Sequence, residues 1–159
     1  MKQFSIARRA TLLLSVALLT ACASGVKLDD VNGKGGTDYS SQPWNDPKSP
    51  LFKRSVYFDF DSYAVKAEYQ ATLQAHANYL KANKDRKIKI EGNTDERGTT
   101  EYNLALGQRR SEAVRKSLSL LGVPDSQMEA VSFGKEKPAD SGSDEAAFAK
   151  NRRVEITYR

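Results

Sequence analysis

The chain has 159 residues, of which 39% are apolar and 28% charged, and a formal net charge of +5. That is enough for one ordinary globular core with extra segments, and its single cysteine excludes an internal disulfide. Without Lys2, Arg8 and Arg9 the count is 25 − 3 = 22 Lys and Arg against 20 Asp and Glu, about +2, so nucleic-acid binding loses its main support.

Those three cations precede an apolar run over residues 11–19, the layout of a secretory signal peptide covering residues 1–21. The run is about half the roughly 20 residues that a membrane-spanning helix needs. Leu19-Thr20-Ala21-Cys22 resembles a bacterial lipobox, which implies that Cys22 becomes the acylated first residue of the mature chain. Acylation also gives a use to a lone thiol in an exported protein. Several acyl chains on one residue exceed the two-signal threshold for stable anchoring. By the same resemblance, Ala23 and Ser24 lack the aspartate that marks inner-membrane retention, which favours the periplasmic face of the outer membrane.

Residues 22–54 are predicted to form a flexible tether, because 22–50 are rich in Gly, Ser, Asp, Asn and Pro and carry no sustained apolar period. From Cys22 to Ser55 is 55 − 22 = 33 residues, a coil reach of roughly 30 Å and an upper limit of roughly 110 Å. Trp44, the one large apolar group of this segment, has three open destinations: docked on the domain, at the lipid interface, or solvated.

Order is expected from Ser55. Residues 55–61 alternate in the period of a strand, with Val56, Phe58 and Phe60 on one face. Residues 65–83 carry Val65, Tyr69, Leu73, Ala77 and Leu80 at helical spacing. Residues 87–92 alternate again. A second helix is predicted to start near Thr99 or Thr100, with Glu101 in its first turn, and to stop at Gly122 and Pro124. A short strand at 131–133, a polar loop at 134–143, a helical turn or two at 144–151 and a last strand at 154–158 follow. Alternating elements with apolar faces predict an α/β (α+β) two-layer sandwich over residues 55–159, its helices packed on one side of a mixed sheet.

On the second helix Tyr102, Leu106, Ala113, Val114, Leu118 and Leu121 form an apolar stripe, and Asn103 and Arg110 fall inside it. An arginine on a core-facing stripe needs a partner, since an isolated buried guanidinium costs several kcal/mol. That partner is either an internal carboxylate, Asp61, Asp95 or Glu155, or an external anion. A strand-to-helix loop at 93–99 favours anions through its backbone amides and the helix dipole. If this turn folds Asp95 over the helix start, Asp95 and Arg110 border one small pocket with Asp61 at its side, suited to a zwitterion.

The ordered motifs Tyr57-Phe58-Asp59-Phe60-Asp61, Glu91-Gly92-Asn93-Thr94-Asp95-Glu96-Arg97-Gly98-Thr99, Glu101-Tyr102-Asn103-Leu104-Ala105-Leu106-Gly107-Gln108-Arg109-Arg110 and Asn151-Arg152-Arg153-Val154-Glu155 resemble the OmpA C-terminal-like family, in particular its peptidoglycan-associated lipoproteins. The resemblance covers residues 55–159. It implies a non-catalytic domain that binds the meso-diaminopimelate of uncrosslinked peptidoglycan stem peptides and joins outer membrane to cell wall. It also implies partnership with TolB and the Tol system, and a part in outer-membrane constriction at division. Carried over, Asp95 would take the ammonium and Arg110 the carboxylate, with Phe60, Asp61, Leu106 and Asn103 shaping the pocket. Gly98 would serve the turn and Arg97 would face ligand or solvent, while Arg152 and Arg153 would be structural or rim residues. No cofactor or metal is implied.

An enzyme would need two of Asp59, Asp61, Asp95 and Glu96 as a carboxylate pair for glycan hydrolysis, or His76 for metal or nucleophilic chemistry. His76 is the only histidine, and it sits mid-helix without a cysteine partner. A neighbouring Arg110 would hold Asp61 and Asp95 ionised, whereas glycoside hydrolysis needs one carboxyl with a raised pKa.

Overall fold

A computed structural model describes residues 42–159. The predicted signal peptide, Cys22 and the larger part of the predicted tether lie outside the described residues.

Four strands, β1 (Ser55–Tyr57), β2 (Ile88–Asn93), β3 (Met128–Gly134) and β4 (Arg153–Tyr158), form one sheet in the order β1-β4-β2-β3. β4 runs antiparallel to both β1 and β2, while β2 and β3 are parallel. Three helices, α1 (Gln70–Ala82), α2 (Thr100–Leu120) and α3 (Glu145–Asn151), complete the expected sandwich. Alternation decides the faces. Val56, Ile88, Ile90, Val154 and Ile156 point into one core with Leu73, Ala77 and Leu80 of α1 and Val114 and Leu118 of α2. Their neighbours Lys89, Glu91, Glu155 and Thr157 line the opposite, wetter face.

The helix ends follow the sequence signals. Thr99 accepts from the Tyr102 amide at 3.2 Å, and Asp144 from the Ala147 amide at 2.8 Å, each satisfying an otherwise orphaned donor of a first turn. Gly122, at φ 89, follows the last turn of α2 in a Schellman arrangement, with Gly122 N–H on Ser119 O and Val123 N–H on Leu118 O. The Gln127 amide donates to the carbonyls of Leu80, Asn83 and Arg86, closing the end of α1. α2 lies so close to β2 that a methyl group at Gly92 would overlap the Gly107 carbonyl.

Three expectations are corrected. The first strand ends at Tyr57, not Asp61; the chain turns there, Asp61 takes φ 52, and Phe60 is 60% exposed instead of sharing the core face of Val56 and Phe58. Residues 65–69 do not start α1: Lys66 is extended and ion-paired to Asp59 at 2.7 Å, and only a 3-10 turn, Ala67–Tyr69, leads into the helix. Packed chain also begins upstream of the expected boundary at Ser55. Trp44 is only 8% exposed; it stacks on Tyr158 at 4.2 Å and 6° and meets Tyr79 edge-on at 5.8 Å. Leu51, in the 3-10 turn Pro50–Phe52 that Ser49 caps, is buried as well. Of Trp44's three open destinations, the structure selects the domain.

Candidate functional site

One end of the sheet opens into a pocket of about 200 Å³ lined by Phe60, Asp61, Thr94, Asp95, Arg97, Gly98, Tyr102, Asn103, Leu106 and Arg110. All six residues expected at a binding site, Phe60, Asp61, Asp95, Asn103, Leu106 and Arg110, are brought together here. Three segments supply them: the turn after β1, the β2–α2 loop, and the first three turns of α2. Because Asn103, Leu106 and Arg110 stand three and four residues apart, α2 presents them on one face.

Arg110 is completely buried, yet neither Asp61, Asp95 nor Glu155 pairs with it directly. Its Nε donates to Ser62 O at 2.7 Å, one terminal nitrogen to Asn93 O at 2.9 Å and the other to Asp59 O at 3.1 Å, above the Phe58 ring. Of the two partners left open, an internal carboxylate is thus replaced by three main-chain carbonyls. Five N–H groups less three bonds leaves two without a protein acceptor among the described residues. Burial pulls the guanidinium pKa down to about 10 against the opposing field of Asp95. Glu155 instead lies 3.5 Å from Arg153.

Asp95 is buried too, and it is saturated. Oδ1 accepts from the Arg97 amide and Nε, both at 3.2 Å; Oδ2 accepts from Arg97 at 2.6 Å and Arg152 at 3.3 Å. Burial alone would raise this carboxyl, but the arginine hydrogen bonds outweigh it and hold Asp95 below the usual carboxylate range. Arg97 in turn lies between two rings, its guanidinium carbon 4.2 Å from the Phe60 centroid and 4.4 Å from that of Phe148. Arg152 reaches Phe58 O, Asp95 and Glu145, tying the start of β4 to α3.

At the mouth, the exposed Tyr102 hydroxyl donates to Asp61. Inside, buried Asn103 donates to Arg97 O at 2.9 Å and closes the loop, while Gly98, at φ 95, makes the turn. Thr94, Arg97, Gly98 and Tyr102 complete the lining, and the six expected residues do not include them. Tyr102 had a signal, standing four and eight residues before Leu106 and Arg110; its place in the apolar stripe proves to be a half-exposed one. Arg97, two residues after Asp95 in a turn, is within local reach of its own loop's carboxylate.

The pocket therefore offers two carboxylates and two guanidiniums beside the apolar Phe60 and Leu106, and its buried carboxylate, Asp95, is held ionised by the arginines. His76 lies elsewhere, bonded to Tyr158 and to the Lys53 carbonyl. Among the described residues, no three His, Cys, Asp or Glu side chains are grouped to hold a metal ion, and no helix is long and apolar enough to cross a membrane.

The OmpA family model matches residues 57–152, the span that builds this pocket. This chain belongs to the OmpA family. A peptidoglycan-associated lipoprotein of Pasteurella multocida is 49% identical, over 91% of this chain and 92% of its own length; one from Haemophilus influenzae is 46% identical over the same shares. The crystal structure of the peptidoglycan-associated lipoprotein from Burkholderia pseudomallei superposes with a TM-score of 0.73 at 68% identity, covering 74% of this chain and all of that one. The C-terminal domain of Helicobacter pylori MotB, at 24% identity and TM-score 0.61, covers 66% of this chain and 83% of its own, and shares the OmpA-family fold.

Proposed function

We propose that this OmpA-family chain is a non-catalytic outer-membrane lipoprotein, anchored on the periplasmic side through acylated Cys22, whose pocket holds the zwitterionic end of meso-diaminopimelate in uncrosslinked peptidoglycan stems. The observation that carries it is the buried Arg110 with two N–H groups unused, on the floor of a pocket that also holds Asp61 and Asp95. A side chain ending in both an ammonium and a carboxylate has the matching charges. Its carboxylate takes the two N–H groups of Arg110 in a charge-assisted pair. Because Asp95 already accepts four bonds, the ammonium, guided in past Asp61, replaces Arg97 there; one cation exchanges for another and the buried carboxylate is never left bare. Arg97 and Phe60 move aside together, which uncovers Arg110. Phe60, Leu106 and Asn103 then enclose the methylene stem.

The names of the relatives support both the lipid anchor and the wall. Membership of the Tol system, contact with TolB and a part in outer-membrane constriction at division belong to the same reading. Retention on purified sacculi tests the pocket: wild type should sediment with them, and folded Asp95→Ala and Arg110→Ala variants should not. Unchanged retention of both would refute the assignment, and muropeptides released into the supernatant would refute the non-catalytic reading. Intact-mass measurement of membrane-extracted protein should find acyl groups on a chain beginning at Cys22; a free thiol there would refute the anchor.

A further inference from the structure

The chain immediately before β1 is held by side chains that the pocket does not use. Trp44 lies face to face with Tyr158 and edge to face with Tyr79, with the Arg86 guanidinium 5.7 Å from its ring. Ten residues later Arg54 O accepts from the Ile156 amide, which extends the β1 edge of the sheet. Between these two points the segment is tied through His76. The buried imidazole lies 2.9 Å from Lys53 O through Nε2 and 2.7 Å from the Tyr158 hydroxyl through Nδ1. A carbonyl only accepts, so Nε2 carries the hydrogen and Nδ1 receives one from the phenol. The neutral ring thus bridges strap and sheet with both nitrogens satisfied.

An imidazolium would fare worse in the same place. The charged side chain that acts on His76 is Arg54, a like charge; the Tyr158 ring beside it is a phenol whose pKa burial raises, so it supplies no compensating negative charge. Burial, and Arg54 with it, lowers the His76 pKa below its ordinary value, against the Lys53 carbonyl, which favours the proton. A second proton would also turn Nδ1 from acceptor to donor and reverse its bond with Tyr158, whose ring carries the Trp44 stack.

We propose that residues 42–54 are a releasable strap, keyed by Trp44 and governed by the protonation state of His76, whose undocking lengthens the chain between anchor and domain. Docked, the packed Trp44 stands 44 − 22 = 22 residues from Cys22. Undocked, order begins at Ser55, and the 55 − 44 = 11 residues gained span at most roughly 40 Å. The change in length rests on the lipid anchor proposed above; the strap and its trigger do not.

Two unique residues make the idea measurable: Trp44 is the only tryptophan and His76 the only histidine. Full-length protein in phospholipid vesicles should show, on acidification, a red shift of Trp44 emission and a several-fold rise in iodide quenching while far-UV ellipticity holds. The His76 ring-proton titration should have the same midpoint, below that of free histidine. Release of Trp44 only together with loss of ellipticity, or a His76 titration that leaves Trp44 unmoved, would overturn the proposal. A His76→Gln variant that folds should lose the acid response, and retention of that response would overturn it too; if this variant does not fold, the coincidence of midpoints in the wild type decides. Energy transfer from a bilayer dye to a label on Ser141→Cys should fall past the midpoint. Unchanged transfer with Trp44 released and Cys22 acylated by mass would refute the lengthening, whereas a free Cys22 thiol would locate the failure in the anchor.

Discussion

Arg110→Met separates the two duties of the buried arginine, since methionine keeps much of the length and apolar stem but removes charge and donors. The fall of the guanidinium from 12.5 to about 10 corresponds to roughly 3 kcal/mol against the charged form, a penalty that the substitution removes. Three hydrogen bonds from a charged donor, at about 1.5–3 kcal/mol each, are lost with it. The net effect is a loss of about 2–5 kcal/mol, within the ~5–15 kcal/mol stability of a domain this size, so the variant stays folded at low temperature with a melting point lower by many degrees. Binding should suffer more decisively. Removing one partner of a buried ion pair costs about 2–5 kcal/mol, a fall in affinity of about thirtyfold or more. Titration calorimetry with a diaminopimelate-containing muropeptide, well below the variant's melting temperature, measures this directly. A folded Arg110→Met domain with wild-type affinity would refute the assignment of the two unused N–H groups to a ligand.

Gly92→Ala drives a methyl into the Gly107 backbone and should cost about 3 kcal/mol or more, seen as a lowered denaturation midpoint. Thr99→Ala removes the cap of α2 and should cost about 1 kcal/mol by the same measurement. For Asp95 the folded pKa lies below the unfolded value of 3.8, so its stabilisation is full above that value and disappears as pH falls through the lower folded value. The stability gap between wild type and Asp95→Asn should therefore stay level from neutral pH to about pH 5 and close below about pH 4. A gap that closes near neutrality would show that Arg97 and Arg152 do not hold this carboxylate.

Much of the fold was legible because periodicity and caps are local. Thr99, Gly122 and the stripe through Leu106, Val114 and Leu118 define α2, and the alternation of Ile88 with Ile90 and of Val154 with Ile156 defines the central strands. Phe60 shows where a period misleads: the alternation continues through it, but the chain has already turned, with Asp61 in the left-handed region. The members of the site were legible as residue types in ordered motifs, whereas the partners of Arg110 were not. Carbonyl oxygens occur at every residue, so nothing in the sequence singles out those of Asp59, Ser62 and Asn93. Trp44 was unreadable for a related reason: its stack on Tyr158 joins residues 114 positions apart (158 − 44), and the polar residues around Trp44 carry no trace of it.

The pairing of β1 with β4 has a mechanical consequence. A pull entering at the strap and resisted at the pocket travels along β1, since Ser55 faces the strap and Tyr57 leads to the turn that carries Asp61. Such a force runs parallel to the strands and loads the β1–β4 bonds in shear, together, instead of peeling them one by one. The bonds just beyond the strand, Phe58 N–H on Arg152 O and Ile156 N–H on Arg54 O, share that load. A strand of three residues is thereby placed where it resists tension best.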